Sequence, residues 1–281
     1  MLFPGNMGEY LSIDEVSLSQ GELYTFVTNK NGRGKKGTLV ASIKGTLSKD
    51  IVNVLEKLPI EKRMAVKEVT LDMAKNMESA VKNCFTCADL VTDRFHVVKL
   101  ATEALQHIRI KLRWEELDKE NTAIGDAKKQ GEKYLPKVFE NGDSPKQLLA
   151  RCRYILAIKL IDWTPNQKLR AKILFREYPS IKQAYEHTQE FRSIYEYKTR
   201  IGAQEKFINW INKSMEQGIK EFYTVANSVQ NNLPNILNFF NHRNTNANAE
   251  SFNSKIKLFR ANLRGVTDTS FFLFRLNKLF A

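Results

Sequence analysis

The chain has 281 residues, 42% of them apolar and 10% aromatic, enough for one large core or two modest ones and too apolar for a disordered chain. Lysine and arginine outnumber the acids 44 to 31, a formal charge of +13, which favours a polyanionic partner, nucleic acid before an acidic membrane surface. No run approaches the ~18 uninterrupted apolar residues of a membrane span. No basic region leads into an apolar one at the start, and three cysteines are an odd number for a secreted disulfide framework, so a cytoplasmic protein with no membrane partner is expected.

Tyr10 to Leu18 reads as a short strand carrying Asp14 and Glu15. Glu22 to Thr28 follows after the Gln20-Gly21 turn. Thr38 to Ile43 follows in turn, beyond a basic, glycine-punctuated hairpin loop, Asn31 to Gly37, that holds Arg33, Lys35 and Lys36. The simplest arrangement of the three strands is an antiparallel meander. Ser48 is a candidate N-cap for a helix with Ile51, Val54, Leu55 and Leu58 as core positions, stopped at Pro59. Val66 to Asp72 is a fourth strand that ends on an acid. A helix from about Asn76 to Asn83 then leads to a fifth, Asp89 to Asp93. Strands joined through a helix imply a right-handed parallel crossover, and the whole order is that of a mixed α/β sheet.

From about Phe95 the periodicity becomes helical. His96 to Trp114 is one helix, and Glu115 to Ser144 is highly charged, its middle either mobile or a solvated helix. Pro145 to Ile161 is amphipathic throughout, and Thr164-Pro165 caps the next helix, which runs to Pro179. Ser180 to Glu196, Gly202 to Met215 and Gly218 to Asn241 follow. Trp114, Trp163 and Trp210 are expected in the core. Cys84 and Cys87 have the spacing of half a zinc site, but no second pair follows.

The late stretch read as a helix from about Asn248 has two faces. Phe252, Ile256, Phe259 and Leu263 form an apolar stripe, and Glu250, Asn253, Lys257, Arg260 and Arg264 a polar one. Asp14 on the first strand and Asp72 at the end of the fourth can lie side by side, and close carboxylates call for a divalent cation such as Mg²⁺. Each acid also has a plain alternative: Asp14 ends a strand, Glu15 is the relevant acid in its place, and Asp72 caps the helix that follows it.

Ile13-Asp14-Glu15, Val69-Thr70-Leu71-Asp72-Met73, and the run from Asp89 through Asp93-Arg94-Phe95-His96 to Lys99 resemble the catalytic domain of DDE transposases of bacterial insertion sequences. The closest group is the ISL-three-type family. Thr245 to Lys257, with Arg260 and Gly265 beyond, is similar to that family's final acidic segment. The resemblance implies an α/β, RNase H-like mixed five-stranded sheet interrupted by a large all-α insertion. The expected division is a first catalytic part over 1–104, the insertion over 105–240, and a helical part carrying the third acid over 241–281.

It further implies DNA strand cleavage and strand transfer at transposon ends, dependent on Mg²⁺ or Mn²⁺, with two ions held by Asp14, Asp72 and Glu250. Asp93 and His96 match an accessory pair, Asp93 also being a competing second acid, and Asn253 stands beside the triad. Arg33, Lys35, Lys36, Arg94, Lys257, Arg260 and Arg264 are the expected DNA contacts, with Lys255 as a further cation. Family members carry an N-terminal DNA-reading module, expected here from a separate polypeptide or missing. A homodimer is expected. The rival readings are an RNase H-like nuclease or resolvase, and a non-catalytic DNA-binding protein derived from a transposase.

Overall fold

The computed structural model describes residues 1–17, 22–216, 218–243, 247–263 and 268–281, with backbone alone for 247–250. The Gln20-Gly21 turn, Thr245, Asn246, Arg264, Gly265 and the side chain of Glu250 lie outside the described residues.

Strands β1 (Tyr10–Ser17), β2 (Leu23–Asn29) and β3 (Leu39–Lys44) form the meander. Helices α1 (Ser48–Leu55) and α2 (Ile60–Met64) lead to β4 (Glu68–Leu71), and α3 (Lys75–Cys84) leads to β5 (Asp89–Thr92). The order in the sheet is β3-β2-β1-β4-β5, with β1 parallel to β4 and β4 parallel to β5. This is the five-stranded mixed sheet of an RNase H-like fold, with β1 at its centre. A long helical stretch follows: α4 (Arg94–Gln130), α5 (Pro145–Arg151), α6 (Pro165–Glu177), α7 (Pro179–Ile194), α8 (Arg200–Glu216) and α9 (Lys220–Asn231). The chain ends with α10 (Leu233–Leu237), α11 (Phe239–His242), α12 (Ala247–Asn262) and α13 (Thr269–Phe280). It folds as two compact units, Met1–Val97 with Asn232–Ala281, and Val98–Asn231.

In the first unit, successive residues of β1 face opposite sides of the sheet. Leu11 and Ile13 join Val69 and Leu71 in a core closed by Ile51 and Leu55 of α1 and by Met77, Ala80 and Val81 of α3. On the other side Val16, Tyr24 and Phe26 pack under Phe252 and Ile256 of α12 and Phe272 and Leu276 of α13. The apolar stripe of α12 is therefore buried against the sheet, each such side chain contributing about 1.5–3 kcal/mol. Ser48 proves to be the first helical residue rather than the cap, and Leu47 occupies the cap position without a side-chain bond.

In the second unit, Thr164 and Gln167 form a reciprocal capping box at α6, with bonds of 3.3 and 2.8 Å. His187 stacks on Trp210 at 4.6 Å, its Nε2 lying 2.7 Å from Ser214 Oγ. Four features differ from the sequence reading. The helix begun near His96 runs on to Gln130 as one solvated element, supported past Glu115 by the spaced pairs Glu116–Lys119 and Asp126–Lys129. The amphipathic helix from Pro145 stops at Arg151, and Ile155 is buried from a short 3₁₀ turn whose carbonyl accepts from Trp163 Nε1 at 3.0 Å. Trp114 is 61% exposed while Trp163 and Trp210 are buried, because it lies half a helical turn round α4 from buried Leu105. The stretch from Gly218 to Asn241 is broken into α9, α10 and α11 near Pro234, which lacks an N–H and clashes with the carbonyl four residues back.

Candidate active site

The parallel registers bring three acids to one level. Ser12 of β1 pairs with Thr70 of β4, so two steps further along Asp14 meets Asp72. Leu71 pairs with Thr92, and Asp93 N donates to Leu71 O at 2.8 Å, which sets Asp93 beside Asp72. Asp14, inside β1, thus forms a row with Asp72 and Asp93, which follow the last residues of β4 and β5, and α12 packs on that face.

Local bonds fix each member. Asp14 Oδ1 accepts from the Glu15 N–H at 2.8 Å, and Oδ2 accepts from Asn253 Nδ2 at 2.5 Å. Asp72 Oδ1 accepts from Ala74 N at 2.8 Å, holding the turn into α3, but it is not the cap expected from sequence: Ala74 occupies the cap position without a side-chain bond. Asp93, nearly buried, accepts from Phe95 N at 3.2 Å, and its Oδ2 lies 3.2 Å from Nδ1 of half-buried His96.

The electrostatics of the row are those of crowded acids. Burial raises the Asp14 carboxyl above the usual carboxylate range; the Glu15 N–H and His96 oppose this, and the charges of Asp72 and Asp93 add to it. The Asp93 carboxylate raises the His96 imidazole above its ordinary value against partial burial, and Asp14 and Asp72 act in the same direction. Among the described residues no three His, Cys, Asp or Glu side chains close round a single point. The oxygen donors of Asp14 and Asp72 nevertheless suit a hard divalent cation, whose charge offsets the burial, and the lesser repulsion, that raise Asp14. The fit is chemical.

A family model described as "Transposase", of the ISL3 type of DDE transposase, matches residues 11–276. The chain belongs to this transposase family. A relative described as the transposase for insertion sequence element IS1001, from Bordetella parapertussis, is 22% identical over 97% of this chain and 61% of its own length. The chain therefore spans about three-fifths of that relative.

The cations named from sequence in this ISL3-type chain differ in their exposure. Arg33, Lys35, Lys36, Arg94 and Lys257 are exposed. Arg260 is half-buried, its guanidinium 5.1 Å from the Phe272 ring centre, and Arg264 lies outside the described residues. Lys255 turns to the hairpin loop, where Nζ donates to Gly34 O at 2.8 Å. Cys84 is buried and Cys87 exposed, both as free thiols. No helix among the described residues is long and apolar enough to cross a membrane.

Sequence reasoning missed a buried charge pair on the same face. Lys30 Nζ donates to Glu68 Oε1 at 2.6 Å and to Thr70 Oγ1 at 2.5 Å, with side-chain exposures of 7% for Lys30 and 1% for Glu68. The available signal was the Glu68-x-Thr70-x-Asp72 alternation, a polar face on a buried strand that calls for a counter-charge.

Proposed function

We propose that the chain works as a transposase that cuts DNA strands at insertion-sequence ends and joins the freed 3′-hydroxyl to target DNA. The observation that carries this reading is the row itself: Asp14 of β1 and Asp72 just past the end of β4 share a level on neighbouring parallel strands, with Asn253 of α12 on Asp14. Asp14, Asp72 and Glu250 would hold the cations, two Mg²⁺ or Mn²⁺ ions, which when bound activate the attacking oxygen and stabilise the leaving one in an in-line phosphoryl transfer. Asn253 fixes the Asp14 carboxylate. Asp93 orients the His96 imidazole and favours its protonated form, so that ring can donate to a phosphate oxygen.

Arg33, Lys35, Lys36, Arg94, Lys257, Arg260 and Arg264 take DNA phosphates, contacts that position a duplex without reading it. Sequence recognition falls to a separate DNA-binding polypeptide or further module, and two copies act together in the cytoplasm. The catalytic parts span 1–104 and 241–281, and 105–240 is inserted between them.

Cleavage and strand-transfer assays on labelled end DNA test the reading. Asp14→Asn, Asp72→Asn and Glu250→Gln should each abolish both steps with DNA binding retained. Cleavage without joining in the wild type identifies a nuclease or resolvase instead, and binding without either a non-catalytic descendant. An active Asp72→Asn beside an inactive Asp93→Asn moves the second acid to Asp93.

A further inference from the structure

We infer that Lys255 is a latch that holds the hairpin loop between β2 and β3 as a preformed clamp for a DNA backbone, rather than itself being a phosphate contact. The inference rests on the DNA-cutting reading above.

The loop is knitted from within. Asn29 N donates to Thr38 O at 2.8 Å, Lys35 N to Gly32 O at 3.0 Å and Thr38 N to Lys35 O at 3.1 Å, while Asn29 Oδ1 accepts from Asn31 N at 3.0 Å. Its base is tied to β4, the strand leading to Asp72, through Lys30 on Glu68 and Thr70. Its tip is tied to α12 by the Lys255 Nζ bond to Gly34 O. Gly34 has φ +69°, and an added Cβ would stand 2.8 Å from Lys255 Nζ, so the loop is shaped to receive that ammonium.

Lys30 is buried in its ion pair and Lys255, though exposed, gives a bond to Gly34 O, while Arg33, Lys35 and Lys36 are exposed on the same loop. One helix therefore touches both the acid row, through Asn253, and the basic loop, through Lys255 two residues on. A duplex whose phosphates rest on the loop is registered against Asp14 by this shared helix. Holding a substrate in place in this way acts on the rate of the bound complex, where small misplacements are costly.

The test uses the full chain with labelled end DNA, comparing wild type, Lys255→Met and Lys255→Arg. Lys255→Met should leave the salt dependence of DNA binding unchanged. Cleavage at saturating DNA should fall about tenfold, and amide hydrogen exchange across the loop should quicken in the DNA-free protein. Lys255→Arg, which keeps a donor at the tip, should recover most of the rate. A salt slope that falls by about 0.9 in Lys255→Met, the mark of one lost phosphate contact, overturns the latch, and so does an unchanged cleavage rate. A wild type that neither binds nor cuts DNA instead overturns the reading on which the latch rests.

Discussion

Asn253 Nδ2 donates to Asp14 Oδ2 at 2.5 Å, across 239 residues of sequence. The bond joins the central strand to a helix near the end of the chain. Because Phe252 and Ile256 anchor that helix in the core, the amide is held in place. On the proposed reading of Asp14 as a metal ligand, Asn253→Ala should fold normally yet lose about 10–100-fold in DNA cleavage, the usual cost of removing a partner that orients such a ligand. Steady-state cleavage with a parallel melting curve checks this. A normal rate would show that Asp14 orients itself.

The Lys30–Glu68 pair predicts a non-additive result. Lys30→Met leaves a buried carboxylate without this counter-charge and should destabilise the protein by about 3–5 kcal/mol, whereas Lys30→Met with Glu68→Gln should recover most of that loss. Urea denaturation of both variants and of Glu68→Gln gives the cycle. Equal losses in Lys30→Met and in the double variant would mean that the pair is not coupled.

Two glycines should respond in opposite directions. Gly34→Ala puts a side chain at φ +69° against Lys255 and should cost about 1 kcal/mol or more. Gly125, inside α4 with open space where a Cβ would stand, should gain about 0.5–1 kcal/mol as alanine. Thermal melting separates the two.

The outline of the fold was legible because the strands obey a period of two and end on turn residues, and because Asp14, Asp72 and Asp93 follow β-type runs. The register was not. That Asp72 meets Asp14 depends on cross-strand pairing, and the burial of Lys30 depends on β4 lying two strands away, neither of which a local pattern encodes. The early end of α5 has a similar origin: Leu148, Leu149, Ile155 and Leu156 share a helical period, yet packing around Trp163 buries the last two from a 3₁₀ turn. The bond from Lys255 to Gly34 joins residues 221 apart in sequence, which no local pattern encodes.

His187 gives the second unit a pH dependence. Burial against Trp210 pushes its pKa down to about 4, from an ordinary value near 6.5. The unfolded chain therefore binds the proton first as pH falls. This contribution is fully present above about 6.5, is lost progressively between there and about 4, and amounts to about 3 kcal/mol at most. Chemical denaturation from pH 7 to pH 4 should show the loss, and His187→Phe should flatten it. An unchanged slope in that variant assigns the acid sensitivity to other groups.

Crystals grown with Mn²⁺ and examined by anomalous scattering test the carboxylate row most directly. Metal peaks are expected on the oxygens of Asp14 and Asp72, with Glu250 of α12 completing the set and Asn253 still on Asp14. Ordered Mn²⁺ elsewhere on the protein, with none at Asp14 and Asp72, would contradict this assignment.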